Sequence, residues 1–241
     1  MNNNFLIRNE YCFPGVYKFL HLSSEETYKY NIKKNKKQLI ELGWTADSIS
    51  YNINNYGYRS DEDFFEGDKC NVYLGCSYTI GEEVPYVNTW PYIVNKYLND
   101  YKLYNLGISG AGPETCYRVL KGFSSIVNIQ RVFLLLPNVD RREIFYRNVW
   151  TQINANSSLL DKHMILSLFS NEEIYTNKIK TLDAIRYVCL VNNIPLYLLD
   201  MYDDRLQQIQ HNDRTARDLS HIGIKGHAQL AEMFINQLTE L

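Results

Sequence analysis

Four short stretches of the sequence combine residue types that can do chemistry with positions beside predicted strands and helices. Ser77 follows the apolar stretch NVYLG, and Gly110 lies within NLGISGAGP. Asn138 follows RVFLLLP, while Asp218 and His221 stand three residues apart in ARDLSHIGIKGH. A serine, a histidine and a carboxylate are the groups that serve as nucleophile, base and orienting acid in hydrolysis by an activated serine.

The same stretches supply hydrogen-bond donors for the negative charge that develops on an ester carbonyl oxygen. The backbone N–H groups of Ser77 and Gly110 and the side-chain amide of Asn138 can form such an oxyanion hole. Each stretch taken alone has an ordinary structural explanation, such as a turn serine, a strand cap or an acidic helix start. Their combination favours an enzyme because every role of one mechanism is filled.

The first stretch also supports a different interpretation. Ser77, Thr79 and Gly81 after a strand can surround a phosphate with hydroxyl and amide groups, as in a flavodoxin-type flavin or phosphate-binding module. That interpretation leaves Asn138 and the Asp-x-x-His pair without a role. A catalytically idle structural or carbohydrate-binding protein is a third alternative, although the sequence keeps every catalytic side chain.

Alternating strands and helices must position these stretches. Strands are predicted over 71–75, 102–107, 131–137 and 194–200, and helices over 88–100, 113–127, 173–191 and 224–238. Residues 138–170 are predicted to be irregular or helical and to form a wall of the substrate cleft, and residues 201–217 to be a polar loop. The alternation predicts an α/β protein with a parallel sheet covered on both faces, whose working residues lie beyond the carboxyl ends of the strands.

The first 65 residues differ from the rest of the chain. The stretch SSEETYKYNIKKNKKQLIELGW is compatible with a helix, and it is followed by turn signals at Asn54, Asn55 and Gly57. The sequence therefore predicts an N-terminal extension over residues 1–65 that packs on an α/β domain over residues 66–241.

The composition excludes several classes of protein. The 241 residues are 45% hydrophobic and 22% charged, with a formal net charge of −2, so no basic surplus attracts nucleic acid. No signal peptide and no stretch long enough for a membrane span are found, so a cytoplasmic location is expected. Five cysteines without C-x-x-C spacing favour free thiols over disulfides or a zinc site, and no cofactor or metal is predicted.

The order of the four stretches resembles the SGNH, or GDSL-type, hydrolase superfamily, over roughly residues 50–239. The segment YNINNYGYRSDEDF is similar to the Asn-x-x-Gly-Phe-Arg segment that precedes the nucleophile in many members. The resemblance implies a flavodoxin-like three-layer α/β/α sandwich with Ser77 as nucleophile, His221 as base and Asp218 as its partner. It also implies Ser77, Gly110 and Asn138 as oxyanion-hole donors.

The sequence departs from the family pattern at two places. Cys76 stands where the family usually has an aspartate before the serine, a change that leaves the nucleophile in place. The third block has Leu136 and Pro137 before Asn138 instead of the usual glycine, so Asn138 follows the pattern less closely than the other residues do.

Three further residues are candidates for substrate binding. Arg141 and Arg142 lie close to the third block and can pair with an anionic substrate, and Thr79 lies beside the nucleophile. The resemblance implies an ester substrate, either a small molecule or an acylated carbohydrate. An acyltransferase with the same triad stays open, because water and an alcohol acceptor use the same residues. The sequence leaves the oligomeric state open.

Overall fold

Strands and helices alternate along the chain, and the computed structural model describes residues 7–9 and 12–239. The strands in these residues are β1 (Gly15–Tyr17), β2 (Tyr51–Ile53), β3 (Lys69–Leu74), β4 (Lys102–Asn105), β5 (Asn128–Leu136), β6 (Arg142–Tyr146), β7 (Val149–Ile153) and β8 (Leu196–Asp200). The helices that lie wholly within them are α1 (Leu22–Lys34), α2 (Lys36–Glu41), α3 (Ser77–Ile80), α4 (Trp90–Leu98), α5 (Pro113–Phe123), α6 (Lys162–Leu168), α7 (Asn171–Val191), α8 (Asp204–Asn212) and α9 (Ile224–Thr239). No helix of the described residues is long and apolar enough to cross a membrane.

Four strands form the central sheet, in the order β4-β3-β5-β8, and all of them run parallel. Counted along the chain, this is the 2-1-3-4 order of flavodoxin-like folds. The carboxyl-terminal halves of the inner strands, residues 72–74 of β3 and 132–136 of β5, are apolar and buried on both faces, as parallel strands under helices must be. The predicted parallel sheet and its flavodoxin-like order are confirmed.

Helices cover both faces of this sheet. Right-handed crossovers place α4 on one face and α5 and α7 on the other, and α9 packs against α4 while α5 packs against α7. On the first face Trp90 of α4 stacks on Phe234 of α9 at 4.6 Å between ring centroids. Beneath them Tyr73 of β3 stacks on Phe133 of β5 at 4.9 Å. The three-layer sandwich therefore holds the carboxyl ends of all four strands at one edge.

The N-terminal residues build a smaller core beside the sandwich. Strands β1 and β2 pair in an antiparallel ribbon, α1 packs on α2, and both helices share one hydrophobic cluster with β2. The small core is made of buried apolar side chains: Cys12, Tyr28, Leu39, Trp44, Ile49, Tyr51 and Ile53. Tyr58 and Phe64, further along the chain, belong instead to the main core. The N-terminal segment is thus continuous with the sandwich.

Two segments differ from the predictions. Residues 138–170 contain an antiparallel hairpin, β6–β7, followed by α6, where irregular or helical structure was expected. Residues 201–217 contain the helix α8, where a loop was expected. In α8 the carboxylate of Asp203 accepts a hydrogen bond from the N–H of Arg205, which caps the first turn of this otherwise polar helix.

Candidate active site

Ser77 lies at the carboxyl end of β3 and is the first residue of the short helix α3. The sharp turn before it requires a glycine, because a Cβ at Gly75 would lie 2.8 Å from the carbonyl oxygen of Leu135 and overlap the side chain of Thr79. Ser77 is 8% exposed. Its hydroxyl makes one weak contact with a described residue, a 4.0 Å hydrogen bond to Cys76 Sγ.

The neighbours of Ser77 are structural in this arrangement. Cys76 is buried, and its Sγ lies 3.8 Å from Met201 Sδ. Thr79 is fully buried, its hydroxyl donates to the carbonyl oxygen of Leu74 at 3.4 Å, and its N–H donates to that of Cys76 at 2.9 Å. The placement of Thr79 therefore does not support its predicted contact with substrate. The hydroxyl that a phosphate-binding loop would use is already occupied.

The loop after β4 is fixed to the nucleophile turn by hydrogen bonds. The side-chain amide of Asn105 donates to the carbonyl oxygen of Thr79 at 2.9 Å, and Ile108 N–H donates to that of Gly75 at 3.1 Å. At the end of this loop Gly110 has a φ of 72°, and a Cβ there would overlap Gln152 Oε1 of β7. The N–H of Gly110 makes no hydrogen bond to a described residue, so it is available as a donor.

The segment after β5 places Asn138 and the two arginines differently. Asn138 is partly buried, and its side-chain amide makes no hydrogen bond within the described part of the chain. Arg142 forms ion pairs with Glu114 at 2.9 Å and Glu173 at 3.4 Å, which tie the hairpin to α5 and α7. These pairs give Arg142 a structural role, and its contact with substrate stays a prediction. Arg141 is partly exposed and carries no such pair among the described residues.

Asp218 and His221 form a closed hydrogen-bonded turn. Asp218 Oδ2 lies 2.6 Å from His221 Nδ1, and Oδ1 accepts the N–H groups of Ser220 and His221 at 3.0 Å each. Burial alone would raise the pKa of Asp218, but the hydrogen bonds from His221 and Ser220 lower it below its ordinary value. Burial opposes charge on His221, yet the Asp218 hydrogen bond and the charge of Glu82 raise the pKa of the imidazole. The pair therefore favours a proton on Nδ1.

The other edge of the His221 ring faces the segment that begins at Ser77. The ring meets that of Tyr78 edge to face, with centroids 5.6 Å apart, and Nε2 lies 3.7 Å from Glu82 Oε2. No hydrogen bond joins His221 to Ser77 in the described structure. Hydrogen bonds between catalytic groups are often long or poorly aligned before substrate binds. His227 is no substitute, since it is fully buried, accepts a hydrogen bond from the Trp90 N–H and has its pKa lowered to about 3 by burial.

A buried ion pair that the sequence did not reveal holds the Asp–His turn. Arg217 Nε lies 2.7 Å from Glu83 Oε2, and both side chains are almost fully buried. The remaining guanidinium nitrogens donate to the carbonyl oxygens of Lys18 at 2.8 Å and Ala46 at 3.0 Å. The residue before Asp218 therefore connects the nucleophile segment to the N-terminal segment.

The N-terminal segment also contacts the turn directly. The side-chain amide of Asn31 in α1 donates to the carbonyl oxygen of Asp218 at 2.7 Å, and Trp44 Nε1 donates to that of Thr215 at 2.8 Å. These partners are distant in sequence, so no local pattern signals them. The N-terminal segment is part of the framework that positions the turn.

A cleft of about 860 Å³ lies elsewhere, at the side of the sheet where β4 is the edge strand. Its walls include Tyr86, Tyr92 and Tyr101 together with Lys96 and Asp100. None of the candidate catalytic residues lines this cleft.

The architecture is similar to that of two solved structures. One is a member of the lipolytic protein G-D-S-L family from Veillonella parvula DSM 2008, with 15% identity and a TM-score of 0.43 over 72% of this chain and 100% of that one. The other is described as a GDSL-like lipase from Bacteroides ovatus ATCC 8483, with 17% identity and a TM-score of 0.37 over 76% of this chain. This chain spans 55% of the Bacteroides protein, about half its length. No family model and no curated protein matches the sequence.

Proposed function

We propose that the protein is a serine-dependent ester hydrolase that works through an acyl-enzyme on Ser77. The observation that carries the proposal is the 2.6 Å hydrogen bond from His221 Nδ1 to Asp218 Oδ2, which leaves Nε2 facing the segment of Ser77. A carboxylate on Nδ1 holds the proton there, so the lone pair of Nε2 is available to accept the proton of the serine hydroxyl.

In the first half of the reaction, Ser77 Oγ attacks the ester carbonyl carbon while His221 Nε2 takes the hydroxyl proton. The oxygen of the tetrahedral intermediate accepts hydrogen bonds from the N–H groups of Ser77 and Gly110 and from the Asn138 amide. The bond to the leaving alcohol then breaks, and the proton passes from Nε2 to the alcohol oxygen. Water then attacks the acyl carbon of the acyl-enzyme while His221 Nε2 takes a proton from it. The bond to Ser77 Oγ breaks, Nε2 returns the proton to Oγ, and the acid is released.

The hairpin β6–β7 lies beside the proposed oxyanion hole and can therefore contact the substrate. Gln152 of β7 adjoins Gly110, and the same hairpin exposes the rings of Phe145 and Tyr146. Aromatic side chains offer large apolar faces, and tyrosine adds a polar tip, so they suit a ligand of mixed character. Acylated carbohydrates therefore belong in the substrate panel beside simple acyl esters.

The proposal is tested by steady-state hydrolysis of nitrophenyl esters of rising acyl length and of acetylated sugars. The native protein is expected to hydrolyse at least one class, and Ser77→Ala to lose roughly 10⁶ in kcat, as removal of a triad serine does in a serine protease. Ser124→Ala, at the C-cap of α5, is the matched control and should keep full activity.

Three outcomes separate the alternatives. Equal turnover by native protein and Ser77→Ala contradicts the proposal. Transfer of the acyl group to an added alcohol, faster than to water, identifies an acyltransferase with the same nucleophile. A yellow preparation with bound flavin and no esterase activity favours the flavodoxin-type alternative.

A further inference from the structure

Glu82 is a buried carboxylate that lies between two histidines. It is 6% exposed, its Oε2 is 3.7 Å from His221 Nε2, and its Oε1 is 3.8 Å from His21 Nε2. Glu82 Oε1 and His21 Nε2 are shielded from solvent, and neither has a hydrogen-bond partner in the described structure. A shielded carboxylate oxygen without a donor among the described residues is costly to the fold, so the placement of Oε1 points to a role beyond packing.

The groups that face His221 are mostly negative. Asp218 approaches Nδ1 from its own turn, Glu82 approaches Nε2 from the segment after α3, and Glu83 acts from further away. Tyr78 presents its ring edge-to-face. Each nitrogen of the imidazole therefore faces its own carboxylate.

The groups around Glu82 come from the N-terminal segment. His21 precedes α1 and is the one imidazole of that segment near the carboxylate among the described residues. Cys12 and Tyr51 also feel its charge, and burial together with nearby carboxylates raises the pKa of each, so both are neutral. The cation of Arg217 is taken by Glu83.

We propose that Glu82 is a positioning residue for the general base, which orients the Nε2 edge of His221 and stabilises its imidazolium, with His21 as the second partner of the same carboxylate. This inference rests on the proposed function, in which His221 accepts the proton of Ser77. It also brings the N-terminal segment to the carboxylate that faces the base, because His21 belongs to that segment.

The electrostatic reason lies in the two protonation states of the ring. In the imidazolium both nitrogens carry protons, and a carboxylate lies near each of them, Asp218 at 2.6 Å from Nδ1 and Glu82 at 3.7 Å from Nε2. In the neutral ring the lone pair of Nε2 faces the negative Oε2 of Glu82, which is unfavourable. Glu82 therefore contributes to the raised pKa of His221, against the effect of burial. Activity needs the neutral ring, so Glu82 moves the acid limb of the pH–rate profile to higher pH.

The test replaces the carboxylate with an amide of the same shape, Glu82→Gln. The pKa of His221 is measured by NMR titration of the imidazole in a Ser77→Ala background, and kcat/KM is followed against pH with Ser77 intact. Glu82→Gln is expected to lower the pKa by about one unit or more, the usual effect of one opposite charge at this range, and to move the acid limb equally. His21→Gln is the matched control, because it alters the same pocket but keeps the carboxylate, and it should not lower the pKa.

An unchanged pKa of His221 in folded Glu82→Gln would overturn the proposal, as would an equal fall in His21→Gln. If Glu82→Gln does not fold, the proposal is overturned when the pKa of His221 in the native protein lies at or below the ordinary imidazole value of about 6.5. The titration needs no substrate, so the two proposals fail separately. A fall in pKa without esterase activity rejects only the proposed function, and esterase activity without that fall rejects only the role of Glu82.

Discussion

Replacing Arg217 with methionine is expected to destabilise the protein strongly, although the residue contacts no substrate in the proposed mechanism. Its guanidinium is fully buried and pairs with Glu83 at 2.7 Å. It also lies 4.2 Å over the ring of Phe19 and donates to two carbonyl oxygens of the N-terminal segment. Methionine fills part of the volume but supplies neither charge nor donors.

The size of the effect follows from what remains after the change. Glu83 keeps a buried carboxylate without its cation, and breaking a buried pair in this way costs about 3–5 kcal/mol. The two carbonyl oxygens of Lys18 and Ala46 lose their guanidinium donors, which adds on the order of 1 kcal/mol. For a domain of this length each kcal/mol lowers Tm by about 2–4 °C, so a fall of roughly 8–24 °C is expected.

The assay is thermal unfolding followed by circular dichroism, for the native protein, Arg217→Met, Glu83→Gln and the double variant. The double variant should be more stable than the sum of the two single effects predicts, with a coupling energy of about 1–3 kcal/mol. The side-chain amide introduced by Glu83→Gln keeps a polar partner for the Tyr51 hydroxyl, which lies 3.2 Å from Glu83 Oε1 in the native protein. The reasoning would be refuted if Tm of Arg217→Met fell by less than about 2 °C. It would also be refuted if the destabilisation of the double variant equalled the sum of the two single effects.

Three other changes probe the site. Asp218→Asn should lower kcat by about 10⁴, as the same change does in a serine protease. The lowered pKa of Asp218 gives a stabilisation that is fully present above about pH 4 and is lost as pH falls through the folded-state pKa. The raised pKa of His221 gives one that is fully present below about pH 6.5 and is lost as pH rises through the folded-state pKa. The Tm gap between native protein and Asp218→Asn should therefore be largest between those two values and shrink at pH values well outside them. Asn138→Ala should lower kcat by about 10²–10³ without changing Tm, and full activity would exclude its amide as an oxyanion donor. Gly110→Ala should lower both kcat and Tm, because the residue has a φ of 72° and its Cβ would overlap Gln152, and adding Gln152→Ala should restore only the part due to overlap.

The central strands were predictable because their burial leaves a direct trace in the sequence. β3 and β5 are covered by helices on both faces, so residues 72–74 and 132–136, in their carboxyl-terminal halves, are all apolar. Once these strands are parallel, the loops after them meet at one edge, which brings the four chemical stretches together. The three-residue spacing of Asp218 and His221 likewise predicted their contact, since both lie in one turn.

The hairpin β6–β7 was missed because its turn lacks the usual residues. Tyr146 pairs with Val149, so the loop is the dipeptide Arg147–Asn148, and both residues have positive φ angles of 50° and 66°. Two-residue turns of this kind are normally signalled by Asn-Gly or Asp-Gly. The strand that precedes the turn also carries Glu143, whose charge is matched by the buried Arg118. This strand is therefore packed against the protein although its sequence is polar.

The partners of the base were missed for a different reason. Glu82 is close to Ser77 in sequence, but nothing local shows that its carboxylate turns toward His221. His21 and Asn31 reach the site only because the N-terminal segment folds back onto the Asp–His turn. Such contacts depend on how two distant segments pack, which residue types and spacing do not encode.

The central claim is that Ser77 is an activated nucleophile, and covalent labelling tests it most directly. The native protein is treated with a fluorophosphonate, which reacts with activated serines, and the adduct is located by peptide mass mapping. One adduct on Ser77 is predicted, absent in Ser77→Ala and greatly slowed in His221→Ala, because the hydroxyl reacts only when a base removes its proton. An adduct on another residue, or none in a preparation that hydrolyses esters, would contradict the claim.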